Sequence, residues 1–107
     1  MGSYVIIESR DPFANRGVGD STRLTVALAR RGHEVRVFLV QNAVLAARSN
    51  GVAPDFYDPA VVSLWVDRVS AAERDLEEDH LRDGFRMAEM DQLVSWLMQE
   101  ATKVLWL

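Results

Sequence analysis

The chain contains no cysteine. No disulfide framework, thiolate zinc site, persulfide or acyl-thioester can form on this sequence. Three prolines and six glycines in 107 residues are too few for a collagen-like or low-complexity chain. Long apolar runs are missing as well, since nothing approaches the roughly 20 residues that a membrane helix requires. Basic charge is in deficit: 12 Lys and Arg stand against 16 Asp and Glu, a net charge of -4, with the two signs interspersed. A nucleic-acid footprint is a clustered basic stripe, so neither DNA nor RNA is an expected partner. His33 and His80 are the two histidines, and neither has a spaced partner that would make a metal-site pattern. No metal or cofactor is expected. The opening residues to Ser9 have no basic segment ahead of a short apolar run, the profile of a buried strand rather than a secretion signal, and imply a cytoplasmic location.

The patterning that is present belongs to a single α/β domain spanning 1–107. Tyr4-Val5-Ile6-Ile7 is short, β-branched and apolar, as a strand buried on both faces would be. A loop from Ser9 to Gly19 leads to Asp20-Ser21-Thr22, any of which is suited to cap a helix carrying Leu24, Ala27 and Leu28 on one side. Gly32 should stop that helix. A second strand is expected over 34–40, a short helix over 43–48 after Asn42, and a third strand over 61–66. Ser70-Ala71-Ala72-Glu73 matches a capping box that would open a short acidic helix. Phe85-Arg86-Met87 reads as a brief fourth strand. Met90, Leu93, Val94, Leu97, Met98 and Ala101 recur with helical period, and 104–107 closes the chain as a fifth strand. Met87, Met90 and Met98 are expected as core filler.

Strands alternating with helices over short loops imply right-handed crossovers and a mainly parallel sheet covered on both faces, a three-layer flavodoxin-like sandwich of about five strands. Ligands of such sheets bind beyond the carboxyl ends of the strands. Four segments fall there: the loop 9–20, the turn at Gln41-Asn42, 67–74, and 87–91. Arg16, Gly17, Gly19 and Asp20, with Asn42, Asp67, Ser70 and Arg74, are the candidate cleft or ligand-binding residues, and a small anionic ligand is the class they would suit. Gly17-Val18-Gly19 is a weak phosphate signal, because Thr22 stands where a dinucleotide fingerprint needs glycine and no P-loop lysine follows. No two carboxylates can be shown adjacent from sequence, and Ser70 has no histidine nearby in sequence to activate it, so no residue is assigned as catalytic.

Arg31-Gly32-His33-Glu34-Val35 followed by Val37-Phe38-Leu39, then Leu64-Trp65-Val66-Asp67-Arg68-Val69-Ser70, Asp83-Gly84 and Val104-Leu105-Trp106, resembles the DsrE/DsrF-like sulfur-relay family. The resemblance covers nearly the whole chain as an ordered pattern. It implies trimers or hexamers, and in relay members it implies a sulfur-accepting cysteine after the third strand, at positions corresponding here to Asp67 and Ser70. A serine cannot carry a persulfide. The preferred reading is therefore a cysteine-free DsrE-like subunit that assembles with itself or with a paralogue, with Phe56, Tyr57, Trp65 and Phe85 offering apolar interface area. A small-molecule or nucleotide-binding module is the alternative, and a thiol-independent enzyme using Asp67, Ser70 and Arg74 the third. If the relay geometry survives, a cysteine at either position should have a pKa below the free value of about 8.5.

Overall fold

The computed structural model describes residues 2–14, 17–49, 57–99 and 102–107. Five strands are formed: β1 (Ser3–Glu8), β2 (Glu34–Leu39), β3 (Ser63–Asp67), β4 (Phe85–Ala88) and β5 (Thr102–Trp106). Three α-helices join them: α1 (Gly17–Arg30), α2 (Arg68–Ala72) and α3 (Met90–Leu97), with 3-10 segments at Gln41–Ala47 and Glu78–His80. Every strand pair is parallel, in the order β4-β3-β2-β1-β5. This is the flavodoxin-like three-layer sandwich that the strand–helix alternation implies.

Topology decides which face each helix covers. From β1 to β4 the chain steps one way across the sheet, so right-handed crossovers place α1, the 3-10 segment after β2 and α2 on one face. The step from β4 back to β5 runs the other way, which puts α3 on the opposite face. Packing follows this division. Ile6, Val37, Leu39, Val44, Leu64, Val66 and Leu76 form the larger core beneath α1 and α2, while Val5, Ile7, Phe38, Val40, Leu93 and Trp96 form the smaller one beneath α3. Trp96 anchors that side, edge-on to Phe38 at 6.0 Å and to Trp65 at 5.1 Å between ring centroids.

The cover is unequal. A five-stranded sheet is roughly 19 Å across and a helix with its side chains about 10–12 Å wide, so a lone helix shields about half a face. Val104 and Trp106 lie in register with Val5 and Ile7 and share their face. They remain 44% and 69% exposed.

Several local expectations are corrected. The first helix starts at Gly17, so Asp20, Ser21 and Thr22 lie inside it rather than capping it. Thr22 Oγ1 donates back to the Gly19 carbonyl at 2.8 Å, and Ser21 turns inward to a buried carboxylate. The capping box at Ser70 and Glu73 does not form. Strand β3 runs straight into α2, which moves the N-cap back to Asp67, whose side chain accepts from the Ser70 amide, and Glu73 closes the helix instead. Asp75, at φ 54°, then turns the chain away, so the acidic stretch yields one 3-10 turn. Met90 and Met98 are exposed rather than core, and Ala101 lies outside the described residues. Tyr57 and Phe85 are buried within the larger core, which removes them as interface area, while Trp65 is half-buried against the smaller core; Phe56 lies outside the described residues.

Two glycines do what only glycine does easily. Gly32 has φ 91° at the end of α1, where its amide donates to the Ala29 carbonyl at 3.0 Å. Gly84 also has φ 91°, and a Cβ there would meet the Pro59 Cβ at 2.3 Å.

Candidate functional site

The carboxyl ends of β1, β2 and β3 bring together two groups of polar side chains. The first joins four of the sequence-predicted candidates. β3 ends in Asp67, which is 5% exposed, and its Oδ2 accepts from both the Ser70 amide at 3.1 Å and the Ser70 hydroxyl at 2.6 Å. Ser70 Oγ in turn accepts from the Gln41 amide at 2.9 Å. Gln41 has φ 52°, an uncommon backbone for a residue with a side chain, and that conformation lets the turn after β2 aim its N–H at the serine. Arg74 closes the group, its Nε donating to Asn42 Oδ1 at 3.1 Å and Nη1 to the Ser70 carbonyl at 3.0 Å.

Asn42, Asp67, Ser70 and Arg74 are thus one connected network across the ends of β2 and β3. The other candidates lie apart from it. Gly17 and Gly19 are in the first turns of α1, Asp20 is exposed and paired with Arg23, and Arg16 lies outside the described residues. What the network can do chemically follows from its bonds. The Arg74 guanidinium already meets an amide oxygen and a carbonyl. Ser70 has both a donor and an acceptor bond engaged, and no imidazole is bonded to it; His80 instead accepts from the Glu77 amide at 3.1 Å and lies 3.9 Å from Asp79. One acceptor is left over, since Asp67 Oδ1 is buried without a hydrogen-bond partner.

The second group was not anticipated. Glu8, the last residue of β1, is 1% exposed, and five donors surround its carboxylate: the Ser9 and Arg10 amides, Arg10 Nε and Nη2, and the Ser21 hydroxyl, at 2.8 to 3.1 Å. Burial raises the Glu8 pKa, but the Arg10 guanidinium, the Arg10 amide and Ser21 together outweigh it and hold the group below its usual value. Tyr57 lies in the same neighbourhood. Burial pushes its phenol up to about 12, with the nearby Ser21 hydroxyl opposing and the Glu8 carboxylate adding to the rise. β1 lies between β2 and β5, where the chain reverses its progress across the sheet, so Glu8 occupies the switch point at which ligands of parallel sheets gather. The one signal in the sequence is a charged residue directly ending an apolar strand, which is equally the mark of an ordinary strand end.

Two open clefts lie further along the same end of the sheet. One of ≈ 570 Å³ is bounded by Arg68, Leu76, Glu77, Glu78, Asp79 and Met87, and one of ≈ 220 Å³ by Trp65, Arg68, Glu89 and Asp91 among others. No predicted ligand residue lines either. Glu77, Asp79 and His80 bring possible metal-ligand atoms within 4.8 Å of one another. They sit at the surface, where exposed acidic groups of this kind are ordinary.

No family model matches the sequence, and no curated protein matches it. Among solved structures, the chain is similar to the YchN protein from E. coli, with a TM-score of 0.84 over 100% of both chains and 23% sequence identity. It is also similar to a protein of unknown function, MTH1491 from Methanobacterium thermoautotrophicum, with a TM-score of 0.69 over 98% of this chain and 97% of that one, at 11% identity. At these identities the likeness is one of fold.

Two predictions follow from the bonds themselves. Ser70→Ala and Asp67→Ala should each cost about 1–3 kcal/mol in urea unfolding, because each strands a buried polar partner. The double variant should cost clearly less than the sum of the two, since they share one bond; strict additivity would show that the pair is not coupled. For Glu8, a folded-state pKa below the unfolded one means stability that is complete above about 4.5 and is lost as pH falls through the folded value. Glu8→Gln should flatten that acid limb of a melting-temperature profile, and an unaltered limb would remove Glu8 from the account.

Proposed function

We propose that this chain is a structural or binding subunit that works in an assembly, with copies of itself or with a DsrE-like paralogue, and that it carries no sulfur. The observation that supports assembly is the apolar surface on the α3 side of the sheet. Val104 and Trp106 of β5 are exposed there, as are Val94, Leu97 and Met98 of α3, and large apolar side chains left exposed on the thinly covered side of a small domain suit an interface.

The corner after β3 supports the second half of the reading. A thiol is activated by positive surroundings that favour the thiolate. Here the Ser70 hydroxyl is held 2.6 Å from the Asp67 carboxylate, a neighbour that disfavours a second anion. The site is built to hold two loops together. It is poorly built for a nucleophilic sulfur. A small-molecule module remains the second reading because of the clefts beside Arg68, yet Glu77, Glu78 and Asp79 outnumber the one arginine at the larger cleft and repel an anionic ligand.

Native mass spectrometry of the purified protein tests assembly, with an oligomer at micromolar concentration as the expected result and a monomer as the contrary one. A Ser70→Cys variant tests the corner. Its thiol should titrate at or above the free value of about 8.5, whereas a markedly lower value would restore a carrier-like geometry.

A further inference from the structure

We infer that the outer edge of β5 is the contact through which two copies of this chain pair, antiparallel, about a two-fold axis centred on Val104. The inference rests on the assembly reading above and identifies its interface.

The backbone sets the pairing. Leu107 donates to the Ile7 carbonyl at 2.8 Å and its own carbonyl accepts from Ser9 at 3.0 Å, so both its polar groups face β1. In an extended strand successive residues alternate direction, so Leu105 and Lys103 also face β1 while Trp106 and Val104 face outward. Among the described residues, no strand lies on that outer side. An unpaired edge with apolar side chains and no proline is a template for another strand.

Register and charge then choose the occupant. An antiparallel ladder needs outward-facing residues opposite each other, and a two-fold axis on Val104 meets that need across the whole of β5. Val104 exchanges two hydrogen bonds with its own copy, and the Trp106 amide of each chain reaches the Thr102 carbonyl of the other. Lys103 falls opposite Leu105 of the second copy, leaving its ammonium over the Tyr4 ring, 5.7 Å from the centroid. Moving the axis to Lys103 would oppose two like charges at closest approach, which destabilises a strand pair. Moving it to Leu105 would set Thr102 and Lys103 opposite positions beyond β5, so that only Val104, Leu105 and Trp106 would pair strand with strand. The strand is therefore complementary to itself in one register, as an isologous interface requires.

Side chains add to the same contact. Val104 and Trp106 of both copies, exposed in the single chain, meet on the α3 side. A two-fold contact also restricts stoichiometry. The assembly contains an even number of copies.

The absence of native cysteine makes the test direct. In a hydrogen-bonded antiparallel pair the Cα atoms are about 5.5 Å apart, within disulfide range. Val104→Cys should give a covalent dimer on mild oxidation at micromolar concentration, and Lys103→Cys, whose copies are out of register, should not. Val104→Pro removes an outward N–H and no bond to β1, so it should halve or further reduce the native mass while keeping the far-UV spectrum. Trp106→Lys should do the same through the side-chain seam, and it stands in if the proline variant does not fold. An oligomer that fails to cross-link at Val104 and keeps its mass in both variants would overturn the interface while leaving the assembly reading intact. A trimer, or a different protein seated on β5, would overturn it too. A wild-type monomer would overturn both.

Discussion

A parallel sheet has to be covered on both faces, because its strands are buried through their whole thickness and have no polar side to offer water. In this domain the constraint is met by connectivity, and it is met unevenly. Three successive steps in one direction place α1, the 3-10 segment after β2 and α2 over the same face, and a single reverse step leaves α3 alone on the other. Val5, Ile7 and Phe38 lie under or beside that one helix, with Trp96 as the wedge that fixes it. Where α3 stops, the sheet continues into Val104 and Trp106. The exposed apolar surface and the open edge are thus two results of the same topology.

The carboxyl end of the sheet shows a different economy. Two buried carboxylates, Glu8 and Asp67, terminate β1 and β3, and each is consumed in holding the next stretch of chain. Glu8 gathers the turn at Ser9 and Arg10 and the first part of α1. Asp67 caps α2 and, through Ser70, ties down the turn at Gln41. These groups stand where ligands of parallel sheets bind, but they are turned inward on the backbone. Their hydrogen bonds favour a fixed architecture over turnover, which agrees with a role in which the surface, rather than a pocket, meets the partner.

Much of the fold was legible in the sequence because it depends on period and punctuation. All five strands were located to within two residues, mostly from short apolar and β-branched runs, and Gly32 marked the end of α1. Where the reading failed, a tertiary contact outweighed a local signal. Asp20, Ser21 and Thr22 look like caps, but the buried Glu8 draws Ser21 into the helix. Ser70 and Glu73 look like a capping box, but β3 has no loop after it, so the cap falls on Asp67. Met90 and Met98 have the period of core residues, and period alone cannot reveal that no second layer covers them. The candidate site was half legible for the same reason. Asn42, Asp67, Ser70 and Arg74 follow from strand ends, whereas the Glu8 cluster depends on Ser21 of α1 turning back onto the end of β1, which no spacing encodes.

The most direct test of the central claim is residue-resolved amide hydrogen exchange along β5 at concentrations above and below assembly. Lys103 and Leu105 face β1 and should be protected in both conditions. Protection of Val104 and Trp106 that matches theirs when the protein is concentrated, and is lost on dilution, is the predicted result. Exchange of Val104 and Trp106 at the rate of free amides throughout, beside protected neighbours, would show that the edge remains open and contradict the account.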